Sequence, residues 1–423
     1  MSKVLGIISE YNPFHNGHLY HLTKSKEITK SNYTIAIISG NFTQRGSTSL
    51  VDKWSKARMA LDNGIDLVIE LPLLYSISSA ENFAEGSIKI LNSLKIVDYI
   101  SFGSENPDIE SLNKLADIIY KEPKDYKNIL QDRISKGISF PKAREEALIS
   151  YLENIESNNK KDNNTKININ NLKNVLSAPN NILGIEYLKA IKKSKSTIKP
   201  IAIERTDCGY NDIKYNGNIA SSTAIRNIIK NGNFDILQKL VPSSTYSNII
   251  KSIQLGHIIP DLSCFEKQII YNLRQMSIEE IQELHDVSEG LEFTIKKAAN
   301  SCNSLVELLN IIKSKRYTTT RIQRILLYAL LNITKKDMLV SKKTSPYIRV
   351  LGFNERGKYL ISEISKANPK LEIITSVKKF IKCNTNKNLG LLLDKDIWAT
   401  NVYTIGYEND SWCNLDFTHK IEL

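Results

Sequence analysis

The chain lacks any run of eighteen apolar residues in its 423 positions, so no membrane span is expected. It has five cysteines, Cys208, Cys264, Cys302, Cys383 and Cys413, an odd number with no Cys-x-x-Cys pair. Neither a disulfide framework nor a zinc site is expected, and a reducing, cytoplasmic setting fits. The first ten residues hold one short apolar run ending at Glu10, without the long apolar stretch or small-residue cleavage site of a signal peptide. No internal repeat stands out. Acidic residues are in deficit: the net charge is +12, and residues 236–423 carry +7 of it from 26 Lys and Arg against 19 Asp and Glu. Such an excess suits a polyanionic partner, because Lys and Arg displace counterions from phosphates. Lysine use in an AT-rich genome explains it equally well.

What is present, over the first 105 residues, is alternation. Apolar runs at Val4–Ser9, Tyr33–Ser39, Asp66–Glu70 and Val97–Phe102 are separated by helical patterns at Leu19–Thr29, Asp52–Asp62 and Ala80–Leu94. Strands alternating with helices predict an α/β fold with a parallel sheet. In such sheets ligands bind beyond the carboxyl ends of the strands, where strand order switches. The segments Tyr11–His18, Gly40–Gly46, Leu71–Tyr75 and Gly103–Asn106 therefore become candidates for a site. Residues 154–174 are Asn-rich and polar and read as a surface insertion. The α/β pattern resumes with a helix at Asn181–Lys193, a strand at Lys199–Glu204 and a helix at Ser222–Asn231. From about residue 236 the pattern is mainly helical. This divides the chain into a Rossmann-like domain, 1–235, and a helical domain, 236–423.

Three of the six histidines, His15, His18 and His21, fall within seven residues just after the first strand. A metal site is one reading, though no His-Glu-x-x-His pattern accompanies them. Phosphate recognition is the other. Gly17 lets the backbone approach an anion, and the following helix offers free N–H groups at its start. Two imidazoles there can donate to phosphate oxygens as a phosphoanhydride breaks. Farther along, Ser222 or Thr223 can cap a helix whose amides face the same phosphates, and Arg226 adds a fixed charge. An ordinary helix cap is the plain alternative for that segment.

His15-Asn16-Gly17-His18 resembles the His-x-Gly-His signature of the nucleotidyltransferase superfamily. Ile219-Ala220-Ser221-Ser222-Thr223-Ala224-Ile225-Arg226 resembles the Ile-Ser-Ser-Thr-x-Ile-Arg motif of the same superfamily, with Ala220 at the first Ser position. The longer stretch Gly6–His18, then Ser39–Gly46, Asp52-Lys53-Trp54, Glu70-Leu71-Pro72, Phe102–Glu105, Ala178–Gly184, Ile203-Glu204-Arg205 and Tyr347–Asn354, is similar to the tRNA(Met) cytidine acetate ligase family. The resemblance implies an enzyme that activates acetate with ATP, as acetyl-adenylate, and acetylates N4 of the wobble cytidine, position 34, of elongator tRNA(Met). It implies that the stretch Ile7, Ile8, Ser9, Glu10, Tyr11, Asn12, Pro13, Phe14, His15, Asn16, Gly17, His18, Leu19 and Tyr20 binds ATP. Gly103, Arg205 and one of Asn180 and Asn181, with Asn180 preferred, match further nucleotide contacts. His15, His18 and Arg226 are the expected catalytic groups, with Mg²⁺ expected alongside ATP.

Asn41, Gln44 and Arg45 follow the second strand on the same sheet end and are candidates to hold acetate or cytosine, or form a self-satisfied polar turn. In a helix at Thr320–Asn332, Arg321, Arg324 and Tyr328 share one face, opposite apolar Ile322, Ile325, Leu326 and Ala329. That face suits a tRNA backbone and a stacked base, or is simply solvated. Two other functions fit parts of the sequence. One is a small-molecule nucleotidyltransferase that passes AMP or CMP to a coenzyme precursor, against which the long basic C-terminal region speaks. The other is a non-catalytic RNA-binding protein with a relic ATP site, against which intact His15 and His18 speak.

Overall fold

A computed structural model describes residues 2–158, 175–176, 178–205, 217–410 and 412–423. The Asn-rich stretch lies, from residue 159 onward, outside them. The architecture is a seven-stranded sheet flanked by helices, with a helical C-terminal part. The strands are β1 (Val4–Ser9), β2 (Tyr33–Ser39), β3 (Leu67–Leu71), β4 (Tyr99–Ser104), β5 (Lys199–Glu204), β6 (Ile348–Phe353) and β7 (Ile373–Ile374), in spatial order β5-β4-β1-β2-β3-β6-β7. The first five are mutually parallel.

Burial follows the period of two that a sheet covered on both faces requires. In β2, Ile35 and Ile37 join one core with Phe83, Ile88 and Leu91 of helix Ala80–Leu94. Ala36 and Ile38 point the other way, into a second core with Trp54 and Ala57 of helix Lys53–Asp62 and Ile225 of helix Ser222–Lys230. A third core, around Phe265, Ile269, Leu326, Leu392 and Tyr403, fills the helical C-terminal part.

The order switches at β1: β2 and β3 lie on one side of it, β4 and β5 on the other. Connections leaving β1 and β4 therefore diverge and open a crevice at their carboxyl ends. Helix Asn16–Thr29 begins there, directly after β1.

The region after residue 236 is mainly helical, as expected, but it also returns strands to the sheet. Ile348–Phe353 returns to pair antiparallel with β3, and Ile374 pairs in turn with Arg349. A six-residue run interrupted by Arg349 has no local strand signature, and its partner lies far back in the sequence. The arginine is accommodated by a buried charge cluster. Lys53 Nζ sits 3.0 Å from Glu70 Oε2 and 2.8 Å from Asp416 Oδ1, and Arg349 Nη2 lies 2.8 Å from the same Asp416 oxygen. Charges this deep persist only when paired. Among the described residues no helix is long and apolar enough to cross a membrane.

Candidate active site

A cleft of about 500 Å³ opens at the carboxyl ends of β1, β2, β4 and β5. Its lining brings together the His15–His18 turn, the end of β5 at Arg205, and the start of helix Ser222–Lys230. The two sequence motifs, two hundred residues apart, thus form one surface.

The local hydrogen bonding fixes what each histidine presents. His15 caps its own helix: its Nδ1 accepts from the Gly17 N–H at 3.1 Å. His18 Nδ1 accepts from the His15 N–H at 3.2 Å, which completes a capping box made of two imidazoles. A nitrogen that accepts from a backbone N–H carries no proton, so both neutral rings hold theirs on Nε2. His15 donates it to Ser222 Oγ at 3.1 Å, which ties the two motifs directly. The two rings stack with centroids 3.7 Å apart. Burial, with Arg205 and Arg226 nearby, pushes the His15 pKa down to about 3. His18 is also held well below the usual histidine range, by burial first and then by His15 and Arg205. The histidines are therefore neutral hydrogen-bond donors, and the positive charge of the site comes from the arginines. Arg226 Nη1 donates to the Asn12 carbonyl at 3.0 Å and Nη2 to Thr223 Oγ1 at 3.1 Å. The Arg205 Nε is buried with no hydrogen-bond partner among the described residues, a donor that an anionic ligand would satisfy.

The ligand stretch divides into lining and support. Ile8, Ser9, Glu10, Tyr11, Asn12, His15, Gly17, His18 and Tyr20 line the cleft. Ile7 and Phe14 do not; both are core residues, at 1% and 0% exposure. Pro13 and Leu19 are not lining residues, and Asn16 spends its amide on the carbonyls of Asn218 and Lys239. Gly103 lines the cleft beside the Arg205 side chain. The two asparagines are placed differently. Asn180 lines the cleft and donates to Glu105 Oε1 at 2.6 Å. Asn181 is buried, and its Oδ1 accepts from Ser104 Oγ and the Glu105 N–H. The helix cap is Ser221, which accepts from the Ala224 N–H, so Ser222 and Thr223 are free to line the cleft as first-turn residues.

The loop after β2 is split as well. Gln44 and Arg45 line the cleft, and the Gln44 N–H donates to Glu10 Oε1 at 2.7 Å. Asn41 does not reach it: its amide is buried between the Lys53 N–H and Thr400 Oγ1. Sequence reasoning missed the device that holds this loop. Lys56, fully buried, donates to the carbonyls of Ser39, Gly40 and Glu10 and to Ser49 Oγ. Burial lowers its pKa to about 7. A lysine on the apolar side of helix Lys53–Asp62 was the signal available. Also missed were Phe83, Phe102, Tyr187 and Gln323, all lining residues; His21, named in the histidine cluster without a role of its own, lines the cleft too.

The helix expected to meet tRNA, Thr319–Leu331, requires a correction. Tyr328 is fully buried and its hydroxyl donates to the Ile77 carbonyl, so it is no platform for a base. Arg324 is buried beside Asp286, at 3.5 Å. Arg321 donates to the Asp286 carbonyl and Ser288 Oγ near the surface. The apolar face continues round the helix through Leu327 and Leu330, and the third core covers it. Gln323, between the two arginines, is the residue that reaches the cleft. Gly46 makes that approach possible: its φ is +76°, and a Cβ there would collide with the backbone of Gln323 and Arg324.

Among the described residues no group of three His, Cys, Asp or Glu is arranged to hold a metal ion. The carboxylates lining the cleft are Glu10 and Glu204. This donor set fits Mg²⁺ only as an ion carried mainly by substrate phosphates.

Residues 2–415 match the family model described as HIGH Nucleotidyl Transferase. A relative from Thermoanaerobacter sp. (strain X514), named tRNA(Met) cytidine acetate ligase, is 45% identical over 419 residues, 99% of each chain. One of the same name from Clostridium perfringens (strain ATCC 13124) is 43% identical over 404 residues, 95% of each. The crystal structure of Thermotoga maritima TmcAL in its apo form superimposes with a TM-score of 0.92 at 34% identity, over 99% of both chains. The same protein bound with alpha-thio ATP gives 0.89 at 33% identity, also over 99% of both chains. With neutral His donors, flanking arginines and a Ser222-headed helix gathered at the strand switch, and with similarity running the length of the chain, this protein belongs to the tRNA(Met) cytidine acetate ligase family of HIGH nucleotidyltransferases.

Proposed function

We propose that this protein uses ATP to activate acetate and then acetylates N4 of the wobble cytidine of elongator tRNA(Met), in the cytoplasm. The observation that carries the proposal is the convergence of the His15–His18 capping box and the Ser222–Arg226 helix start on one cleft. The triphosphate is assigned to the two helix starts, where backbone amides, the His18 Nε2–H, Arg205 and Arg226 meet it. An acetate oxygen attacks the α-phosphorus, the bond to the β-phosphate oxygen breaks, and pyrophosphate leaves. Charge that develops on the leaving phosphates is met by donors already in place, so little reorganisation is needed. Mg²⁺ carried by the phosphates would add charge neutralisation. In the second step the cytidine amine attacks the acetyl carbonyl carbon, AMP departs, and the amine loses a proton. Among the lining residues there is no evident covalent nucleophile, which suits direct attack on the mixed anhydride.

Gln44 and Arg45, rather than Asn41, are proposed to hold acetate or the target base. Of the helix Thr319–Leu331 residues, Arg321 remains the candidate for a tRNA phosphate, because its guanidinium lies near the surface. The test is direct. Protein, ATP, acetate and unmodified elongator tRNA(Met) are incubated, and the wobble cytidine is weighed by mass spectrometry. An acetyl increment that disappears without ATP, without acetate, or with EDTA is expected. No increment from folded protein would overturn the proposal.

A further inference from the structure

The third histidine of the cluster has a role that differs from the other two. His21 lines the cleft, and its Nε2 lies 2.8 Å from Ser101 Oγ on β4. Ser101 Oγ lies 2.6 Å from Ser25 Oγ, and Ser25 Oγ donates to the His21 carbonyl at 2.6 Å. Counting protons along this chain fixes its direction. A carbonyl only accepts, so the single Ser25 proton is committed to it. Ser101 must then give its proton to Ser25, and the Ser101 oxygen can only accept from His21. The His21 proton therefore resides on Nε2, and Nδ1 is left as a bare acceptor with no partner among the described residues. Burial and Arg205 lower the pKa to about 4, which keeps the ring in this neutral form.

His15 and His18 present donors; His21 presents an acceptor. Phosphate oxygens and a carboxylate are acceptors themselves and cannot satisfy it. The donors of ATP are the two ribose hydroxyls and the adenine amine. His21 also sits over β4, on the opposite side of β1 from the β2 loop that carries Gln44 and Arg45. We infer that His21 Nδ1 accepts a hydrogen bond from a donor on the nucleoside half of ATP, and so positions the nucleoside while the other two histidines hold the phosphates. This rests on the ATP assignment made above.

The test is calorimetric binding without RNA, using wild type, His21→Gln and His21→Asn against ATP, 2′-deoxy-ATP, 3′-deoxy-ATP and the 6-deaminated purine nucleotide. Gln keeps a donor for Ser101 and loses the acceptor at the δ position; Asn keeps an acceptor there. Loss of one such bond weakens binding about 3- to 10-fold. His21→Gln is expected to lose that factor for ATP, and His21→Asn to lose less. One analogue should bind wild type more weakly by a similar factor and bind His21→Gln and wild type equally, which also tells ribose from adenine. Unchanged ATP affinity in His21→Gln, an equal loss for every analogue, or a larger loss in His21→Asn would overturn the inference with the ATP assignment intact. Wild type that binds no ATP would overturn that assignment, and the inference with it.

Discussion

The helices Asn16–Thr29 and Thr319–Leu331 look alike as strings of letters. Each opens on a polar cap and carries polar or basic side chains at helical spacing. Their surroundings differ. The first buries Leu22, Ser25 and Thr29 and leaves its opening turn at the mouth of a cleft. The second buries nine of its thirteen residues, including an arginine and a tyrosine. His15 and His18 of the first are organised by their own backbone, within three residues. The polar groups of the second are organised by segments around Ile77 and Asp286, which no local pattern announces. Self-contained chemistry can be read along a chain; chemistry that depends on a distant neighbour cannot.

The contrast can be broken from either side. The largest effect is expected at Tyr328→Ala, which empties a fully buried ring site and should cost about 3–5 kcal/mol in chemical denaturation. If stability is unchanged and tRNA affinity falls, the second helix is a recognition surface after all. Next, His18→Ala should slow acetate-dependent AMP release about 10²- to 10³-fold, the usual cost of removing one preorganised donor, with far-ultraviolet dichroism unchanged. Full activity would remove His18 from the phosphate site.

A moderate effect is expected on acidification. His15, His18 and His21 are held neutral below the unfolded histidine pKa, so between about pH 6.5 and 4 the unfolded chain binds more protons. Their contribution to stability is intact above that window and is lost as pH falls through it. Asp396, raised by burial to about 7, contributes with the opposite sign over the same range. Comparing denaturation midpoints of wild type and His21→Gln across these pH values isolates one histidine: the variant should show the shallower slope. Bound ATP should flatten the slope of the wild type, since phosphates favour the imidazolium. The smallest effect belongs to Arg321→Ala, expected to reduce the salt slope of tRNA binding by about one, with no change in ATP affinity.

The parallel half of the fold was legible because each strand is a continuous apolar run followed by a polar turn. The predicted bounds of β1 and β2 coincide with the observed ones. The cleft was legible where neighbours in sequence are neighbours in space, as in His15 to His18. It was not legible where alternation of inside and outside decides, as for Ile7 and Asn181, whose immediate neighbours Ile8 and Asn180 line the cleft. Lys56 escaped notice because a lysine is ordinarily a surface residue, and only the carbonyls that converge on it make it an anchor. β6 escaped because its partner strand lies far back in the chain.

That late strand has a consequence for synthesis. Until Ile348–Phe353 has left the ribosome, β3 is an exposed edge, with apolar residues on both faces and its backbone unpaired on one side. Lys53 and Glu70 wait longer still for Asp416, which follows β6 in the chain. Every motif of the nucleotide cleft has then already been translated, yet the sheet beneath it lacks its border. A prematurely terminated chain would carry all the recognisable letters of the enzyme together with a sticky edge, and its expected fate is aggregation or proteolysis in place of partial activity.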